Sequence, residues 1–125
     1  MLNYEAAVAC DAALVLRPLC LVGRGLGALA AMMAARRVVP DAVVLLEPWP
    51  PAEAGGLPDG ARPATGRPES SLALDECRRG ISVPRLEPRT LVVGGRRVAE
   101  LYGAEELDTP DLPYAVSAWA RNASA

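Results

Sequence analysis

Three glycines on alternate positions, Gly23, Gly25 and Gly27, follow a short apolar run and open an alanine-rich stretch. A glycine turn at this point frees main-chain amides at a helix N-terminus, and such amides favour anions. Arg24 in the turn is placed to meet a phosphate, although an arginine here more often extends to water along its apolar stem. Glu47 ends the next apolar run and is the one acid positioned for a chemical role; a solvated strand end is the plainer reading. Ser70 and Ser71 offer hydroxyls with no base in view. There is no histidine at all, which removes the commonest general base, the commonest metal ligand and the usual neutral-pH switch. The three cysteines, Cys10, Cys20 and Cys77, are odd in number and match no metal spacing, so they read as small buried hydrophobes.

The elements that hold these residues follow from periodicity and punctuation. Asn3 caps a helix expected over Tyr4 to Val15, ended by Arg17-Pro18. Leu19 to Val22 is an unbroken apolar run, the signature of a buried parallel strand. Leu26 to Arg37 reads as a helix whose small side chains let it lie close to a sheet. Ala42 to Glu47 is a second buried strand after the Pro40-Asp41 turn. Prolines and glycines then crowd residues 49–70, which read as a mobile loop without apolar anchors. Ser71 to Arg79 is expected as a short helix, Thr90 to Val93 as a third strand, Val98 to Leu107 as a helix weakened at Gly103, and Tyr114 to Arg121 as a last helix. This alternation specifies one α/β domain over residues 1–125: a small three-layer α/β/α arrangement around a short parallel sheet of about three strands.

The stretch LCLVGRGLGALAAMMAARR followed by DAVVLLEPWPP resembles the nucleophile-elbow region of α/β-hydrolases, where a strand, a Gly-x-Ser-x-Gly turn and a helix place the nucleophile. Gly23 and Gly27 match the outer glycines, which that family needs for close approach of helix and strand. TLVVGG resembles the following strand, and LYGAEELDTPDLPY resembles the family's tail. The resemblance implies the C-terminal half of that fold with its catalytic triad replaced: Gly25 stands at the nucleophile position, Arg96 or Arg97 at the acid, and Tyr114 at or near the histidine. Of the oxyanion donors the Leu26 amide remains, while the other belongs to a loop earlier than this chain begins. The elbow forces its apex into a strained conformation that glycine relaxes.

The same glycines also satisfy a dinucleotide-binding fingerprint as Gly23-x-Gly25-x-x-Ala28, with Glu47 where a ribose-binding acid belongs. Against this rival, a helix precedes the first strand and the later strands do not supply a second half.

Composition bounds the remaining classes. About half of the 125 residues are apolar, phenylalanine is absent, and all 13 basic residues are arginine, a usage expected of a high-GC bacterial genome. A net charge of −2 argues against non-specific nucleic-acid binding. No apolar run reaches the roughly 18 residues of a membrane helix, and a signal peptide is not expected, so the expected compartment is the cytoplasm. No cofactor or metal is expected. The expected function is binding without catalysis, as a homodimer or with a partner chain through an exposed sheet edge near Leu19 to Val22; the remaining option is a truncated remnant or a start upstream of Met1. An enzyme with unconventional residues, or one completed by another chain, is the first alternative, and the nucleotide-binding fragment the second.

Overall fold

The computed structural model describes residues 6–8, 10, 19–57, 60, 68–107 and 112–124. Four strands, β1 (Cys20–Arg24), β2 (Ala42–Leu46), β3 (Arg89–Val93) and β4 (Glu105–Leu107), form one parallel sheet in the order β1-β2-β3-β4. Among the described residues, helices α1 (Leu26–Val38), α2 (Pro68–Arg79), α3 (Arg96–Tyr102) and α4 (Leu112–Ser124) and a 3-10 turn at Ala52–Ala54 accompany the sheet. The register is in step across the first three strands: Val22 lies beside Val44, and Val44 beside Leu91.

Strand alternation sorts the side chains into two cores. On one face Leu21, Val43, Leu45 and Val92 meet Leu29 and Met32 of α1, Cys77 of α2 and Val98 of α3. Alanines 28, 30, 31, 34 and 35 are all buried, so α1 sits close to the sheet, as its composition requires. Val39 ends α1 in the left-handed region with φ 44°, its N–H donating to the Ala35 carbonyl. Arg36 and Arg37 in the last turn complement the helix dipole. Asp41 then accepts the Leu19 N–H at 2.6 Å and fixes the start of β1 against β2. On the other face Val44, Leu91 and Val93 pack with Val116 and Trp119 of α4. Trp119 donates to Glu105 at 2.8 Å, Arg89 reaches the same carboxylate at 2.9 Å, and the Arg89 guanidinium lies 5.6 Å from the Trp119 ring centre. These contacts pin the C-terminal half of α4 to the amino ends of β3 and β4.

Three sequence expectations change. The helix expected over Val98 to Leu107 is two elements: Gly103, at φ 59°, closes α3, and Glu105–Leu107 becomes the fourth strand. The sheet therefore has four strands, because a three-residue strand carrying two glutamates gives no apolar alternation to read. Residues 48–57 are anchored where an unanchored loop was expected. Pro51 is fully buried, Trp49 and Leu57 pack on the α1-side core, and the Ala52 N–H bonds the Ile81 carbonyl at 2.8 Å. The rest of that segment up to residue 67 lies outside the described residues, apart from Gly60. Residues 6–8 and 10 are helical, with Ala6 buried; the remainder of the first expected helix and the Arg17-Pro18 stop lie outside the described residues.

Candidate functional site

The carboxyl ends of β1 and β2 form the centre of the candidate site. β1 stops at Arg24, and Gly25 turns the chain into α1 with φ 57° and ψ −119°. Only glycine adopts that region freely; another residue pays about 1–3 kcal/mol. The turn is held on both sides. Gly25 donates to the Leu46 carbonyl at 3.0 Å, and its own carbonyl accepts from Ala28 at 3.2 Å and Trp49 at 3.1 Å. A side chain at residue 25 would start toward the Trp49 indole, whose Nε1 lies 3.6 Å from the Cβ position. The apex therefore faces an aromatic ring.

The flanking glycines are not equivalent. A Cβ on Gly23 would come 2.3 Å from the Gly27 carbonyl oxygen and 2.7 Å from the Ala28 Cα, so close approach of strand and helix demands glycine there. Gly27, expected to need glycine for the same reason, has open space where its Cβ would be. The close approach is made by the backbone of residue 27 against the side-chain position of residue 23. Leu26 is half-buried on the α1-side core.

Arg24 and Glu47 are brought together at 3.5 Å, both mostly exposed. Glu47 sits at φ 43° just past β2, and its N–H donates to the Val93 carbonyl at 2.7 Å. Gly94, at φ 71°, follows β3 directly beside it. From this rim a groove of about 870 Å³ opens along the α4 face of the sheet, with Cys20, Val22, Leu46 and Val93 in its floor and Val116 and Ser117 of α4 on its wall. α4 packs against β2 and the strands beyond it, and among the described residues no helix lies over Val22 of β1, which is 58% exposed. Burial pushes the Cys20 thiol up, away from the reactive thiolate.

The other expected positions lie elsewhere. Arg96 and Arg97 open α3 and are exposed; Arg96 pairs loosely with Glu100 at 3.8 Å, and Arg97 lies beside Gly55. Tyr114 is 68% exposed on α4. None of Gly25, Arg97 and Tyr114 lines the groove. Ser70 and Ser71 belong to the first turns of α2, and their side chains lie outside the described residues. All three cysteines are free; burial, reinforced by Glu76, raises the Cys77 thiol to about 11, and Cys10 Sγ approaches the Ala34 carbonyl at 3.9 Å. Among the described residues no group of three or more His, Cys, Asp or Glu is placed to hold a metal ion, and no helix is long and apolar enough to cross a membrane.

Sequence reasoning missed a polar clasp on the opposite side. Glu53 accepts the Ser82 hydroxyl at 2.6 Å and the Val83 N–H at 2.7 Å, and the Tyr102 hydroxyl donates to the Val83 carbonyl at 2.6 Å. Burial alone pushes Glu53 up, but these two hydrogen bonds and Arg36 outweigh it and hold the carboxyl below its usual range. Burial, with Glu53 nearby and against the pull of Arg36, raises the Tyr102 phenol. The clasp ties the 3-10 turn to residues 81–83 and α3. Its members are scattered over fifty positions of sequence, so no spacing pattern announces it.

Chemically, the groove has an apolar floor with one guanidinium and the carboxylates of Glu47 and Glu106 at its edge. It has no imidazole, since the chain contains no histidine. No protein-family model, curated protein or solved structure matches this chain.

Proposed function

We propose that this chain is a non-catalytic α/β-hydrolase-like protein that acts by binding, as an oligomer or as the partner subunit of another chain. The observation that carries the reading is the turn at Gly25. It keeps the strand–turn–helix geometry of an elbow, with a positive φ at its apex, yet presents no side chain there and faces the Trp49 indole. The groove beside it supports the same reading: its floor is apolar, it opens along β1, and it holds no imidazole.

The test is a purified sample assayed against activated esters and a serine-directed fluorophosphonate probe. Neither turnover nor labelling above background is expected. Stoichiometric labelling that disappears on unfolding overturns the reading. Gly25→Ser alone is expected to stay inactive, since a restored hydroxyl still has no base and triad members act as a unit.

A further inference from the structure

We infer that the partner at the open sheet edge is a second copy of this chain, joined by antiparallel pairing of β1 with β1 about a two-fold axis at Val22. The inference rests on the binding reading above and names the partner.

The main chain of β1 fixes which groups face outward. The Leu19 carbonyl accepts from Asp41 and Ala42, and the Gly25 N–H donates to Leu46, so residues 19 and 25 turn their polar groups toward β2. Alternation along a strand assigns Leu21 and Gly23 to the same side. Cys20, Val22 and Arg24 therefore turn their N–H and C=O groups outward, and β1 pairs only with β2 among the described residues. All three line the groove, so the outward-facing edge and the exposed apolar side chain of Val22 coincide at the middle of the strand.

Three outward residues with one at the centre form a self-complementary set. Antiparallel pairing about Val22 sets Val22 opposite its own copy and Cys20 opposite the second copy's Arg24. Each opposed pair exchanges two hydrogen bonds, so every outward N–H of both strands finds a carbonyl. Charge selects the same register. Centring on Arg24 would set the two guanidiniums face to face. Centring on Val22 instead sets the two Arg24 side chains at opposite ends of the pair. No proline interrupts β1, and its one charge, Arg24, lies at the carboxyl end of the strand, so Cys20 to Gly23 carry neither of these usual protections of a solitary edge. A two-fold pair is closed, since one patch caps both copies. The product is an eight-stranded sheet in which the two grooves meet across the axis between the two α4 helices.

The experiment combines mass with register. Light scattering at micromolar concentration should give twice the mass of one chain. With Cys20 replaced by serine, Val22→Cys should be joined to its own copy by a short bifunctional thiol cross-linker, because hydrogen-bonded antiparallel partners lie about 5.5 Å apart at Cα. Leu21→Cys in the same background should not. Val22→Pro removes the central outward N–H and leaves the ladder to β2 intact, so it should give a folded monomer; Val22→Lys should do the same by repulsion at the axis if the proline variant does not fold. A folded wild-type monomer, unchanged on dilution, overturns the pairing, and so does a dimer in which Val22→Cys fails to cross-link. A monomer that also resists the fluorophosphonate probe defeats the pairing alone, whereas labelling by the probe defeats the non-catalytic reading whatever the mass.

Discussion

The two faces of the sheet are finished to different degrees. The α1 side is closed by α1, α2, α3 and the anchored segment 48–57, and Val43, Leu45 and Val92 are fully buried beneath them. Among the described residues the α4 side has one helix, set over β2, β3 and β4, and Val22 of β1 remains 58% exposed. Both faces are apolar in sequence. The difference shows that apolar alternation specifies which residues seek cover, whereas the number of helices available decides which of them get it. An apolar strip that the chain leaves bare invites contact with another surface.

Matched truncations test that contrast most strongly. Leu45→Ala on the closed face should destabilise by about 2–5 kcal/mol, the range for emptying a packed leucine site. Val22→Ala on the open face should change the stability of the single chain by no more than about 0.5 kcal/mol, as for ordinary surface positions. Urea unfolding of both variants at concentrations low enough to separate any dimer gives the comparison. Equal losses would mean that β1 is covered after all.

The second contrast lies within the turn. Gly23→Ala drives a methyl group into the backbone of Gly27 and Ala28, neither of which is a flexible side-chain end, and should cost at least about 1–3 kcal/mol. Gly27→Ala meets open space inside the first turn of α1 and should be neutral or stabilising by up to about 1 kcal/mol. Gly25→Ser should fall between them, at about 1–3 kcal/mol, through strain at positive φ alone. Thermal unfolding of the three variants ranks them; a tolerated Gly23→Ala would refute the close approach.

Much of this was legible in the chain, and the exceptions share a cause. The runs Leu19 to Val22 and Ala42 to Glu47 and the stretch Leu26 to Arg37 announce strand, strand and helix because a buried parallel strand is a continuous apolar run and an alanine-rich helix is bounded by its glycines and proline, although β1 runs on through Gly23 and Arg24, which read as part of the turn. β4 escaped because an edge strand of three residues buries little and keeps its glutamates. The docking of residues 48–57 escaped because its anchors, Trp49, Pro51 and Leu57, follow no period; each is held by tertiary contacts made from distant segments. Of the site, the side-chain-free apex at Gly25 and the position of Glu47 were readable. The Arg24–Glu47 pairing, the groove and the Trp49 indole over the turn required the fold, since residues far apart in sequence meet only across parallel strands.

The smallest effect compares the polar ties of the two faces through pH. Glu105 on the α4 side is held below its usual range by the hydrogen bonds from Arg89 and Trp119, against a minor opposing push from burial. Glu53 on the α1 side is lowered as well, because the Ser82, Val83 and Arg36 interactions together exceed its burial. In both, the folded carboxyl is the stronger acid, so the folded state binds fewer protons than the unfolded chain at acid pH. Each contribution is therefore complete above the ordinary carboxylate range and disappears as pH falls through the lowered folded value. Both carboxylates are largely exposed, so solvent screening keeps each loss to a few tenths of a kcal/mol, as for surface pairs. Stability measured from neutral pH down through the carboxylate range should decline, and Glu53→Gln and Glu105→Gln should each flatten part of that decline. High salt should shrink the Glu105 share more, because its ties include the exposed pair with Arg89, whereas Glu53 is held mainly by the neutral donors of Ser82 and Val83. A steeper acid decline in either glutamine variant would reverse the sign and show that the carboxyl is held as the neutral acid instead.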